Sequence, residues 1–456
     1  MIYVIACVAG IAGLLFGFDE GIIAGALHPL RVAFDISPLE EGFMTATVPL
    51  GALGGAVLGG WLAAPFGRRR LLMSTAVLFI AGALVCALAP NIWLLSLGRL
   101  MLGVAIGVAA MIAPLYIAET APAAQRGMLV SIYQLAITLG IFGAYVVGFA
   151  LGDAWRGMFA TAMVPGLLLL VGVACLSDTP RWLVLKGRRD EAGKVIARLQ
   201  GVDPQDARVA RELSAIDDAA HADIRNPARW RDLFGPVARP ALVVGVGLFL
   251  LQQLSGVNAV IYFAPTVFSH AGFDTTGTQL LATMGIGAVN VLMTLVAMAL
   301  IDRIGRRKLM FIGFAGAALS LGIISAAAAT GSAALQPLAL LGLVLYIASF
   351  AVSIGPLPWV MMSEIFPLHL RGPGMSVASM ANWGFNFLVV LTFPVLLDLL
   401  GLAGVFSIYA VMCVVGLVFT ARYLPETSGL SLEEIERHLK AGKPFRSLGA
   451  EFHKAA

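Results

Sequence analysis

Apolar stretches of about 20 residues or more recur along nearly the whole of this 456-residue chain. At 1.5 Å of rise per residue, a helix needs about 20 mostly apolar residues to cross the hydrocarbon core of a bilayer. Twelve such stretches are expected, over 2–27, 42–64, 70–89, 93–118, 127–151, 157–176, 238–268, 277–301, 308–330, 335–363, 374–397 and 403–423. Composition agrees: 59% of residues are hydrophobic, 12% are charged, and mean hydropathy is +0.90. A soluble domain carries about 25% charged residues. With half that charge, this chain cannot cover a water-facing surface, and a lipid bilayer is its natural surrounding.

Between 177 and 237 the composition reverses. Arg188, Arg189, Asp190, Glu191, Lys194, Arg198, Arg208, Arg211 and Glu212 mark a water-facing segment with short amphipathic helices. The expected organisation is an all-α membrane protein of two six-helix bundles, 1–176 and 238–423, joined by a helical linker, 177–237, with a polar tail, 424–456. Of the 30 Lys and Arg, all but Arg31, Arg99 and Arg156 fall on the side holding the linker and both termini. The positive-inside rule makes that side the cytoplasm. The net charge of +4 is therefore a topology signal, and no nucleic-acid partner is expected. The first apolar run is too long for the core of a signal peptide and lacks a basic leader, so it reads as a spanning helix. No Asn-x-Ser/Thr sequon occurs, which fits a bacterial inner membrane. Cys7, Cys86, Cys175 and Cys413 lie in apolar stretches without metal-ligand spacing, so no disulfide, metal or cofactor is expected.

The chain repeats itself. Gly67-Arg68-Arg69-Arg70 recurs as Gly305-Arg306-Arg307-Lys308. Glu119, Pro122, Arg126 and Gly127 recur with the same spacing as Glu364, Pro367, Arg371 and Gly372. Asp178-Thr179 recurs as Glu426-Thr427. The three offsets are 238, 245 and 248 residues, in the same order in both halves. Each element closes a helix on the basic side. Glu and Arg seven residues apart across a Pro cannot share a straight helix face, so they should pair with neighbouring helices or with the Gly-Arg-Arg loops. Arg68, Glu119, Arg126, Asp178, Arg181, Asp302, Arg306, Glu364, Arg371 and Glu426 are thus candidate cytoplasmic gate residues, holding one state and releasing in the other.

With these motifs the chain resembles the sugar porter family of the major facilitator superfamily. The resemblance rests on Leu15-Phe16-Gly17-Phe18-Asp19, Gly98-Arg99, Asp178-Thr179-Pro180-Arg181-Trp182-Leu183 and Gln252-Gln253-Leu254-Ser255-Gly256-Val257-Asn258. It continues in Asp302 to Arg307, Gly355-Pro356-Leu357-Pro358-Trp359 and Pro425-Glu426-Thr427. It departs at Ala64-Pro65, where the superfamily has Asp-Arg, and the first copy of the gate should be weaker there or built from other residues. Ser177, Asp178 and Ser428 also depart. Some proton-coupled members carry an acid in the sixth helix, where this chain has Ala162.

Asp19 and Arg99 are read as the deepest charges of the first half, each roughly 9–12 Å below the outer interface. An ionisable residue at such depth is a functional hypothesis by default. A buried carboxylate beside a guanidinium keeps its charge, and one stranded from it takes up a proton. A motion that parts the two would therefore couple proton binding to conformation. The resemblance implies the same: proton symporters of the family have this Asp, while facilitative members have a neutral residue. A sugar needs groups that both donate and accept hydrogen bonds, as side-chain amides do, plus an aromatic platform. Gln252, Gln253, Asn258, Asn290, Trp359, Asn382, Trp383 and Asn386 supply this set from the second half, with Gln134 and Phe16 from the first. Tyr262 reads as an outer gate or a packing aromatic. Gly256 and the Gly355-Pro356-Pro358 run should interrupt their helices beside these residues, as helices do at transporter sites.

The expected function is a secondary transporter importing a monosaccharide, hexose or pentose, by proton symport. It would work through alternating access, as a monomer. The alternative is a facilitative uniporter on the same scaffold. A non-transporting sugar sensor would be expected to carry a longer tail. No enzyme motif is present: there is no His-Glu-x-x-His, Gly-x-Ser-x-Gly or Walker loop.

Overall fold

The computed structural model describes residues 2–121, 126–225, 230–367, 370–430, 432–441 and 443–448. The first half begins with α1 (Ile2–Phe34), α2 (Pro38–Phe66), α3 (Arg68–Leu88), α4 (Ile92–Thr120) and α5 (Arg126–Leu151). Its sixth span is α6 (Trp155–Thr161) followed by α7 (Met163–Ala174), interrupted at Ala162. The insert holds α8 (Pro180–Leu185), α9 (Arg189–Gln200) and α10 (Ala207–Arg225). The second half runs through α11 (Arg239–Leu254), α12 (Val257–His270), α13 (Thr276–Ile304), α14 (Arg306–Ala329), α15 (Leu335–Ser349), α16 (Leu357–Ile365) and α17 (Arg371–Tyr423). A short α18 (Leu432–Lys440) lies in the tail.

Among the described residues, eleven helical runs are long and apolar enough to span a bilayer. One of these, α17, is broken at Gly401 (φ +63°), so the runs make twelve spans. Two further interruptions fall where sequence placed them. Gly256, at φ +86°, separates α11 from α12. A π-helical turn at Phe350–Ile354 and Gly355-Pro356 separate α15 from α16. The first span differs from expectation. It continues seven residues past Leu27 to Phe34, carried through Pro29.

Helix starts carry side-chain caps. Ser37 and Glu40 form a reciprocal capping box on α2. Asn91, Thr275 and Thr179 accept from backbone N–H groups of α4, α13 and α8. Such caps satisfy donors that a helix leaves open.

Small residues set the helix spacing. Gly13, Gly17 and Gly21 lie one turn apart on α1 and meet the carbonyls of Tyr133, Ile137 and Ile141 on α5. A Cβ at Gly17 would stand 1.8 Å from the Ile137 oxygen. A second seam joins α2 and α4: Gly51 and Gly55 meet Leu100 and Val104, while Gly103 and Gly107 meet Val48 and Ala52. Lipid tails give no hydrophobic drive between helices, so close backbone approach of this kind holds them together. These seams fix α1 and α4, the helices that carry Asp19 and Arg99.

The halves meet through α1 with α12, α2 with α17, and α5 with α13. These contacts include Gly42 on Leu391 and Gly287 on Tyr145. The insert packs its own small core, with Trp182, Leu183, Val184 and Ala192 against Val195, Leu213 and Ile216.

Candidate substrate and proton site

Arg99, on α4, is 0% exposed and Asp19, on α1, is 1% exposed, with Nη1 and Oδ1 3.6 Å apart. Arg99 Nε donates to the Met44 carbonyl on α2 at 3.2 Å. Neither carboxylate oxygen of Asp19 and neither terminal nitrogen of Arg99 has a hydrogen-bond partner among the described residues. The pair is a sealed electrostatic contact that lacks the bidentate geometry of a permanent arginine clamp. A small parting of α1 and α4 leaves a bare buried carboxylate.

Asp19 and Arg99 are not the only deep charges in the first half. Glu20 is 3% exposed, and its Oε1 accepts from the Tyr262 hydroxyl on α12 at 3.3 Å. Glu41 is buried on α2, where Arg31 makes a two-pronged contact with it and also donates to Thr266 Oγ1 on α12 at 3.2 Å. Sequence reasoning passed over Glu20, although a second acid directly after Asp19 in an apolar run was the signal for it.

The amides gather on one side of the second half. Gln252 Nε2, at the end of α11, donates to the carbonyls of Ile354 and Gly355 at 2.8 and 2.9 Å. Those carbonyls are exposed by the break before α16, so the two interrupted spans are stitched together at the site. Asn258 Nδ2 donates to Gln253 Oε1 at 2.7 Å, and Gln253 Nε2 in turn donates to Asn382 Oδ1 on α17. Asn386 Oδ1 and Trp383 Nε1 are buried with no hydrogen-bond partner among the described residues. The Trp383 ring lies 5.2 Å from that of Phe16 on α1, across the two halves. Trp359 packs edge-on against Phe249 at 4.8 Å. Asn290 is buried on α13, and Gln134 is half-buried on α5. Tyr262 is fully buried and reaches Glu20. A groove of about 320 Å³ lined by Arg239, Arg422 and Arg446 lies apart from the amides, at the insert end.

Residues 5–439 match the family described as "Sugar (and other) transporter". The chain belongs to this sugar transporter family. Over 454 residues it is 39% identical to the galactose-proton symporter of Escherichia coli strain K12, covering 99% of this chain and 97% of that protein. Over 436 residues it is 38% identical to a D-xylose transporter of Levilactobacillus brevis, covering 94% of each. Its structure is similar to that of the xylose transporter XylE from E. coli in a partially occluded inward-open conformation. The TM-score is 0.82 at 30% identity, over 94% of this chain and 99% of that one. The protein is thus a multi-pass membrane transporter and not an enzyme.

The transporter's repeated motifs form two equivalent clusters at the insert end. In the first half, Arg68 Nη2 meets Glu119 Oε1 at 2.7 Å, the Arg68 N–H donates to Asp178 at 2.9 Å, and Thr179 Oγ1 donates to Glu119 Oε2. In the second, Arg306 Nη2 meets Glu364 Oε1 at 3.0 Å, the Arg306 N–H donates to Glu426 at 2.9 Å, and Thr427 Oγ1 donates to Glu364 Oε2. The first copy was expected to be weaker at Ala64-Pro65 or built from other residues. The structure has the second form: its ion pair is as close as that of the other copy, and the Ala64 carbonyl accepts from the Trp182 indole at 2.9 Å. Arg181 sits in the first turn of α8, and Arg371 opens α17. The side chains of Arg126 and Asp302 lie outside the described residues.

The bonds just given for each cluster stay within its own half. Among the described residues, side-chain bonds that cross between halves are found toward the opposite end: Tyr145 to the Ile261 carbonyl (2.9 Å), Tyr262 to Glu20, and Arg31 to Thr266. These bonds clasp the halves at the end away from the insert.

Proposed function

We propose that this transporter imports a monosaccharide, a hexose or pentose, by proton symport through alternating access, with the proton as coupling ion and no cofactor. Asp19 is the proton carrier and Arg99 the partner that sets its charge. Gln252, Gln253, Asn258, Asn290, Trp359, Asn382, Trp383 and Asn386, with Phe16 and Gln134, hold the sugar, and Tyr262 belongs to the outer gate. Bundles 1–176 and 238–423 rock about this centre, tied by the 177–237 linker and flanked by the 424–456 tail. The protein works as a monomer in a bacterial inner membrane. The insert end, with both termini, faces the cytoplasm, as the Lys and Arg distribution supports. The two insert-end clusters, with Arg126, Arg181, Asp302 and Arg371, are the cytoplasmic gate.

One observation carries the proton reading: the Asp19 carboxylate is buried and has Arg99 at 3.6 Å as its ion-pair partner, with no hydrogen bond to either oxygen among the described residues. Its charge depends on a contact that helix motion can break. The names of relatives, among them a galactose-proton symporter, support the same reading.

The test is transport by purified protein in liposomes, with a panel of labelled hexoses, pentoses and polyols. An inward gradient of one pH unit should drive about tenfold accumulation of the right sugar. Asp19→Asn should abolish accumulation and keep sugar exchange. If Asp19→Asn still accumulates sugar, Asp19 is not the coupling residue. A wild-type protein that takes up no protons on sugar addition is a uniporter.

A further inference from the structure

Glu20 is a buried acid that coupling through Asp19 does not use. It lies on α1 beside Asp19, and consecutive residues on a helix point about 100° apart. Asp19 is turned to Arg99 on α4 and Glu20 to the second half. Among the described residues, the titratable groups near Glu20 come from α1, α5 and α12. Tyr262 of α12 donates to it, Tyr133 and Tyr145 of α5 lie within its electrostatic reach, and Asp19 adjoins it on α1. The Tyr133 hydroxyl is buried with no hydrogen-bond partner among the described residues. Arg99 of α4 faces Asp19. Two carboxylates thus share a dry region with one guanidinium. Ionising both would leave one negative charge unbalanced where it is shielded from solvent, which disfavours the doubly ionised form. A carboxylic acid at Glu20 removes that charge and keeps a carbonyl oxygen to accept the Tyr262 hydroxyl.

We propose that Glu20 is a second proton-binding site, separate from Asp19, whose occupancy lets Tyr262 dock and the end away from the insert close. This extends the proton-symport reading and rests on it. Tyr262 is carried by α12, which starts at the Gly256 break and so moves as a short arm. When that arm swings out, Glu20 meets water, ionises and no longer accommodates closure. When Glu20 is protonated, the arm returns. In the closed arrangement Glu20 is still covered by Tyr262 and 3% exposed. In that arrangement the proton stays on Glu20, and it leaves by the route it entered when the arm next swings out. Glu20 therefore gates with its proton and does not carry it across.

Equilibrium sugar exchange in liposomes, at equal pH on both sides, separates the two acids. Asp19→Asn leaves Glu20 as the acid that titrates and should lose exchange on the alkaline side with a limiting slope of about tenfold per pH unit, that of a single protonation. Adding Glu20→Gln fixes that acid in its neutral form, so exchange by the Asp19→Asn, Glu20→Gln double variant should stay flat over that range. Glu20→Gln should also take up as many protons per sugar as wild type. Tyr262→Phe, which keeps the ring and removes the donor, should slow exchange at every pH and keep the alkaline loss. The proposal is overturned by a flat Asp19→Asn profile, by a double-variant profile parallel to that of Asp19→Asn, by fewer protons per sugar in Glu20→Gln, or by a wild-type-like Tyr262→Phe. Absence of sugar-evoked proton uptake in wild type would instead sink the symport reading, and the exchange profile would still decide whether Glu20 gates.

Discussion

Gly17→Ala is the sharpest test of how packing serves the charged pair. A methyl group at Gly17 would lie 1.8 Å from the Ile137 oxygen, 2.7 Å from its carbonyl carbon and 3.0 Å from its Cα. All three atoms are backbone within α5, so no rotamer change relieves them. Restoring ordinary contact at 3.4 Å needs α1 to move about 1.6 Å away from α5. Asp19 lies two residues along, only 3.6 Å from Arg99, and a shift of that size alters the pair directly. Overpacking of this kind costs typically about 1–3 kcal/mol, and a rigid backbone obstacle puts this site at the upper end. The assay has two arms, thermal inactivation of the detergent-purified protein and sugar-evoked proton uptake in liposomes. Gly17→Ala should lower the inactivation midpoint and weaken proton coupling more than sugar exchange. Gly60→Ala is the control, since its Cβ would meet nothing within 4 Å. Wild-type stability and coupling in Gly17→Ala would refute the claim that the α1–α5 seam positions Asp19.

The insert-end clusters should differ in strength although they match in design. Glu119 and Arg68 are 5% and 9% exposed, whereas Glu364 is 21% exposed. Glu119→Gln strands a buried guanidinium and should cost about 3–5 kcal/mol. Glu364→Gln should cost less, because water screens the remaining charge. Inactivation midpoints that fall equally, or further for Glu364→Gln, would contradict this. The insert supplies a pH control. The Asp206 carboxyl is lowered from 3.8 to about 2, chiefly by the Arg208 side chain. A depressed value stabilises above the unfolded value and loses that stabilisation only as pH falls through about 2. Hydrogen exchange at the start of α10 should therefore be constant in protection from about pH 5 to 8, so that any transport pH profile in that range comes from elsewhere.

The spans and the break at Gly256 were legible because hydropathy and the φ demand of a glycine are local properties. The two insert-end clusters were legible because the chain states them twice. The contact between Asp19 and Arg99 was anticipated by matching depths, yet the depth of Asp19 was misjudged, since α1 continues to Phe34. The pair meets for another reason: glycine seams draw α1 onto α5 and α2 onto α4, which depth counting cannot express. The amides were legible as a set. Their bonds to one another and to the Ile354 and Gly355 carbonyls were not, because these depend on where two broken spans cross. Glu20 was not legible because its partner is no arginine along the same half but a phenol from the other half.

That crossing of halves at α12 has a cause in the sequence. A helical carbonyl bonds the N–H four residues on, and for Ile261 that residue is Pro265, which has none. Phe263, between them, is non-helical at φ −111° and ψ 19°. The Ile261 carbonyl is thus left open in a fully packed region. Tyr145, from α5 of the first half, donates its hydroxyl to it at 2.9 Å. The partner that Pro265 removed from within the helix is supplied from the opposite bundle, and only while the two are clasped. Tyr145→Phe keeps the ring and deletes this donor. A buried carbonyl without a partner costs about 1–3 kcal/mol, whereas in the unclasped state water can reach it. The substitution should therefore shift the balance away from the clasped form by a factor of about 5–30 for each 1–2 kcal/mol. Cysteines placed one turn from the Gly42–Pro394 contact, at Ala46 on α2 and Leu397 on α17, are buried while the halves are clasped and would report this as faster labelling by a membrane-impermeant maleimide. Labelling no faster than in the same cysteine pair with Tyr145 intact would mean that the Ile261 carbonyl finds another partner, and that Pro265 does not tie the gate helix to the first half.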